Sequence, residues 1–164
     1  MPTHRAIAVV GGEHARTQEV VEILEGGGFS AFQVRFIDDL VSRRDRPSVI
    51  VLCAYDGAKA MRKDLRVLRR KRRTARIPIV VFGDARRDRQ LYSALVSGAD
   101  DFVDQSAEAT ELCARVAAQL KSRRLLAELR RQRKAAETVV ELTQALSSTV
   151  HIRDILFLVC LLYT

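Results

Sequence analysis

The sequence predicts an α/β fold: a five-stranded parallel sheet covered by helices on both faces and followed by a long C-terminal helical extension. Two observations carry this. Short apolar runs rich in β-branched residues alternate with segments of helical period across residues 1–120, the pattern of strands buried on both faces and joined by helical crossovers. From there through Leu156 neither glycine nor proline interrupts the chain, so nothing ends a helix.

Each element follows in order. Arg5 to Val10 reads as the first strand and halts at Gly11-Gly12. Val20, Val21, Ile23 and Leu24 fall on one side of a helix that ends at Gly26-Gly27-Gly28, where left-handed backbone carries no steric penalty. Phe29 to Val34 alternates as a second strand, and Ile37 to Val41 allows a short helix. Ser48 to Cys53, introduced by Pro47, is the clearest strand. A basic helix spans Ala58 to Arg73, with Met61, Leu65 and Leu68 as its inward stripe. Ile77 to Phe82 is the fourth strand, with Pro78 near its start. Arg87 to Ser97 reads as a helix stopped by Gly98, and Asp101 to Val103 as the fifth strand. Ser106 is placed to cap a helix from Ala107. In sheets of this kind the site lies beyond the carboxyl ends of the strands, which directs attention to Gly11, Gly12, Cys53, Gly83 and Gln105.

Composition narrows the function classes. A chain of 164 residues, 48% apolar, can bury one core of roughly 100–150 residues plus an appendage. No apolar run approaches the roughly 20 residues that cross a bilayer, and the opening residues lack the layout of a secretory signal. A cytoplasmic location without membrane association is expected. Cys53, Cys113 and Cys160 are far apart and odd in number, which fits neither a disulfide framework nor a metal cluster. His4, His14 and His151 have no ligand spacing; no metal and no cofactor is expected.

The net charge of +8 is concentrated in residues 59–76 and 121–134. Arg66, Arg69, Arg70, Arg72 and Arg73 are the candidates for contact with an anion or a partner, against a simple solvated face. Asp64 is the lone acid of that helix, so few internal pairs relieve its repulsion. No aromatic residues interleave the charges, which weighs against single-stranded nucleic acid.

Three segments, Pro47-Ser-Val-Ile-Val-Leu-Cys53, Ile77-Pro-Ile-Val-Val-Phe-Gly83 and Ser97-Gly-Ala-Asp-Asp-Phe102, together resemble the receiver domain of bacterial response regulators over Arg5 to Leu120. The resemblance implies a flavodoxin-like sheet of order 2-1-3-4-5. It also implies where the family's chemistry would sit. The acidic pair that holds Mg²⁺ is replaced by Gly11 and Gly12, with Glu13 beside them; the phosphoryl-accepting aspartate by Cys53; the hydroxyl residue by Gly83; and the lysine by Gln105, followed by Ser106 where proline is common. Phe102 keeps the switch-like aromatic position. Mg²⁺ needs carboxylate oxygens, and a thiol cannot form the acyl phosphate. Asp56, Asp84 and Asp104 lie in the nearby loops, away from the nucleophile position. On residues alone, Gly11-Gly12 fits a tight turn better than a phosphate cradle, and Cys53 reads as an inert strand-end thiol.

Residues 121–147 read as a signalling helix or coiled-coil linker: Leu125, Leu129, Gln132, Ala136, Val139, Thr143 and Leu146 recur at three- and four-residue steps. Leu142 to Leu156 resembles the opening helix of a GAF domain, so residues 148–159 are expected to begin such a domain. Residues 160–164 look like a translated sequencing adaptor, and the natural chain is expected to continue past Val159. The expected function is a phosphorylation-independent, receiver-like signalling module that is not itself an enzyme. It would act by docking to a protein partner or to a second copy through the C-terminal helix. Two rivals are a sensor of a small anionic ligand or nucleotide, using the strand-end pocket and basic helix, and a nucleic-acid-binding module, which the lack of interleaved aromatics weakens for single strands.

Overall fold

The computed structural model describes residues 6–12, 15–44, 46–54, 57–86 and 89–163. Strands β1 (Ala6–Val10), β2 (Ser30–Val34), β3 (Val49–Ala54), β4 (Ile79–Gly83) and β5 (Asp101–Asp104) alternate with helices α1 (Ala15–Gly26), α2 (Ile37–Ser42), α3 (Gly57–Arg70), α4 (Gln90–Val96) and α5 (Ala109–Leu162). All four strand pairings are parallel, in the order β2-β1-β3-β4-β5. The expected fold class and strand order are therefore present.

The sheet separates two cores, because successive strand side chains point to opposite faces. Ala8, Val10, Ile50, Leu52, Ile79 and Val81 pack with Met61, Leu65 and Leu68 of α3. Ile7, Val9, Val49, Val51 and Val80 pack instead with Val20 and Leu24 of α1 and with Leu112 and Val116 of α5. β3 is buried along its whole length, which is why its sequence is an unbroken apolar run.

Several boundaries differ from expectation. α3 ends at Arg70 rather than Arg73. Buried Thr74 donates its hydroxyl to the Leu68 carbonyl at 2.7 Å, and the Ala75 N–H reaches the Lys71 carbonyl at 2.9 Å. These bonds satisfy carbonyls left open by the helix end. Gly98, at φ +106°, then allows the reversal from α4 into β5. Ser106 caps no helix. Its backbone N–H and hydroxyl both turn back to Asp104, and α5 begins only at Ala109.

The chain separates into two units, Met1–Ser122 and Arg123–Thr164. In the second, Leu125, Leu126, Leu129, Val139, Val140 and Leu142 are exposed, while the pairs Arg133–Glu137 and Glu128–Gln132 stitch successive turns. Residues 148–159, where the start of a GAF-like domain is expected, lie inside α5. No helix among the described residues is long and apolar enough to cross a membrane.

Candidate functional site

The carboxyl ends of β1, β3 and β4 bring Gly11, Cys53 and Gly83 to one edge of the sheet. The register sets Val10 beside Leu52 and Ala54 beside Gly83. Both glycine positions are filled from within. A Cβ added at Gly11 would lie 2.7 Å from Thr17 Oγ1 and 2.9 Å from Cys53 Cβ, and one at Gly83 would lie 2.7 Å from Gln90 Oε1 and 3.1 Å from Ala54 Cβ. Thr17 and Gln90, at 0% and 1% exposure, are as buried as the core. Among the described residues, Thr17 Oγ1 and both amide atoms of Gln90 have no hydrogen-bond partner. Thr17 approaches from α1 on one face of the sheet, Gln90 from the first residue of α4 on the other.

The backbone here is also engaged. Gly11 N–H donates to the Val34 carbonyl at 3.2 Å, and the Gly12 carbonyl accepts from Gln33 Nε2 at 3.3 Å. That use of Gly11 counts against an open phosphate cradle at this turn.

Gln105 follows β5, and its side-chain oxygen accepts a 2.6 Å hydrogen bond from Arg16 Nη1. Arg16 thus places a cation beside the position where the resemblance loses a lysine. Arg16, Glu19, Ile23, Gln105, Ser106 and Leu112 are among the residues lining a cavity of about 320 Å³ between α1 and the start of α5. Sequence reasoning missed Arg16, Thr17 and Gln90, because nothing in their spacing marks them apart from other polar helix residues.

The loop carboxylates are committed to turns. Asp104 accepts from Ser106 and from the Ala85 N–H at 2.7 Å, and Asp84 accepts from the Arg86 N–H at 2.9 Å. The Ser106 hydroxyl, then the Ser106 and Ala85 backbone amides, hold the Asp104 carboxyl below the usual aspartate range. A carboxyl so depressed contributes stability that is present above its unfolded value and lost as pH falls through its folded one. Ser106→Ala is expected to move the Asp104 carboxyl upward, as read by carbon-13 NMR titration of its side chain. Glu13 and Asp56 lie outside the described residues. Among the described residues no cluster of three His, Cys, Asp or Glu side chains could hold a metal ion. Gly11, Gly12 and Cys53 offer no carboxylate, and Thr17 fills the space at Gly11, so the donor set does not fit Mg²⁺.

Phe102 is buried at 7% exposure and packs in the core shared with α3 and α4. The basic helix divides differently from expectation. Arg69 does not spread to solvent. Its Nε donates to the Gly98 carbonyl at 2.7 Å, its Nη1 to the Ala75 and Ile77 carbonyls at 3.0 Å each, and its Nη2 to Asp100 Oδ2 at 2.5 Å. Arg73 Nη2 donates to the Arg43 carbonyl at 2.7 Å. Both side chains serve the fold. Arg66, Arg70 and Arg72 remain exposed.

No family model matches the chain, and no curated protein matches it. Solved structures do. A response regulator from Chloroflexus aurantiacus matches at TM-score 0.62 and 16% identity, over 71% of this chain and 98% of its own. The receiver domain of a sensor histidine kinase from Pseudomonas aeruginosa, with magnesium coordinated in its active-site cleft, matches at 0.60 and 18%, over 73% and 99%. NtrX from Brucella abortus, in complex with ADP, matches at 0.66 and 24%, over 79% of this chain and 29% of its own. The chain has the fold of a response-regulator receiver domain.

Proposed function

We propose that this chain is a receiver-fold signalling module that works without phosphorylation, docks to protein partners, and couples through α5 to an output or sensor domain. It is not itself an enzyme. In this reading Gly11, Gly12, Glu13, Cys53, Gly83 and Gln105 occupy the positions of a lost phosphorylation site, and Phe102 that of the switch aromatic. The observation that carries it is the filling of both glycine positions by buried Thr17 and Gln90. Phosphoryl transfer needs a carboxylate nucleophile, a metal to screen incoming charge, and room for both. Arg16 supplies a cation, but a cation alone neither attacks nor holds Mg²⁺. Titration with beryllofluoride and Mg²⁺, which mimic the phosphorylated aspartate, should leave the amide NMR spectrum unchanged. Shifts clustered on Gly11, Cys53 and Gly83 would count against the reading.

The exposed apolar side chains of 125–142 support self-association through α5. Gln132 and Thr143 weaken the heptad seam, so pairing is expected only at high concentration. Light scattering of the intact protein should show a dimer that Leu129→Glu abolishes. A strict monomer at high micromolar concentration, indifferent to that substitution, would remove this part.

A further inference from the structure

With Arg69 turned into the fold, the exposed charge of α3 resolves into one ridge. Lys59, Arg62, Lys63, Arg66 and Arg70 are all exposed, and at 100° per residue they share one side of the helix, opposite buried Met61, Leu65 and Leu68. None of the five pairs with an acid among the described residues. Along one border of the ridge lie Ala60 and Val67, half-buried and two turns apart. These cations and the two apolar residues together line one concave surface. From Lys59 to Arg70 it is about 16 Å long.

We propose that this surface is a docking site for an acidic amphipathic helix of a partner protein. The inference rests on the docking role proposed above and names the partner's chemistry. Two requirements follow from the geometry. The five exposed cations call for carboxylates, since a positive ridge steers and orients an acidic surface. The Ala60–Val67 border calls for apolar side chains at a matching spacing, because residues seven apart lie on one face of a partner helix. A phosphate backbone would satisfy only the first requirement. The border would add nothing to its binding, and no lining residue offers an aromatic face for a base.

The test uses the full chain and a labelled helical peptide of about 18 residues, with two leucines seven positions apart among glutamates. A control peptide has the same composition with the leucines scrambled. Saturable binding is expected, with amide shifts confined to residues 59–70. Affinity should fall about tenfold or more for the scrambled peptide and for Lys63→Glu/Arg66→Glu. The milder Lys63→Gln/Arg66→Gln, checked by circular dichroism, guards against a folding artefact. Equal binding of the scrambled peptide would reduce the surface to bare charge and overturn the proposal. Absence of binding at low salt, shifts on another element, or preference for a DNA duplex with steep salt dependence would overturn it too. Phosphorylation of the domain would defeat the earlier reading while leaving peptide binding where it is, so the two failures are distinguishable.

Discussion

Gly11→Asp is expected to destabilise the folded domain by about 2–4 kcal/mol, because a carboxylate is forced into a buried and already filled place. The position lies against Thr17 Oγ1 at 2.7 Å and Cys53 Cβ at 2.9 Å. Neither neighbour is a flexible chain end, so neither can swing clear. Gly83→Thr is expected to cost less, about 1–3 kcal/mol, by overpacking against the end of Gln90 and Ala54. A second substitution, Gln90→Ala, should recover part of that loss, since the two side chains compete for one space. Urea denaturation measures all three. If Gly11→Asp were as stable as the parent, the strand-end site would be open, and the packing account of it would be wrong.

The second large effect belongs to Arg69. Its guanidinium joins α3 to the loop before β4, to the end of α4 and to the start of β5, through three backbone carbonyls and Asp100. The Asp100 pair is partly exposed, at 25% and 41% for its two side chains, so screening limits what the ion pair contributes. The carbonyls matter more, because removing a donor leaves part-buried acceptors unmatched. Arg69→Ala should therefore lower stability by about 2–4 kcal/mol, and Arg69→Lys by somewhat less, since an ammonium cannot span the same fork of acceptors. Arg70→Ala, one residue on and exposed, should stay within about 0.5 kcal/mol. Equal effects at Arg69 and Arg70 would contradict the division of the basic helix into structural and exposed cations.

That division marks where sequence reasoning reached its limit. The apolar runs of β1, β3 and β4 were legible because strands buried on both faces have no polar alternation to blur them. The Met61, Leu65 and Leu68 stripe was legible because it recurs at four- and three-residue steps among charged residues. Which arginine turns inward was not. Arg69 and Arg70 are chemically identical in the sequence, and only the return of the chain at Gly98 and Asp100 gives one of them acceptors. Ser106 misled in a similar way. Its residue type suits a helix cap, but Asp104 competes for its hydroxyl and amide. At the strand ends the sequence showed what had been replaced at Gly11, Cys53 and Gly83. It did not show what had moved in: Thr17 and Gln90 stand in the helices that directly follow β1 and β4, and their residue types do not mark them as side chains that turn inward over the strand ends.

On the proposed function, the strand-end site takes no phosphoryl group. Its most direct test is incubation of the folded chain with acetyl phosphate and Mg²⁺, followed by intact-mass measurement. Restoring Cys53→Asp alone should give the same result as the parent chain, since Gly11 and Gly12 still supply no metal ligand. The account predicts unchanged mass for both proteins; a stoichiometric phosphoryl adduct on any residue of the strand-end loops would contradict it.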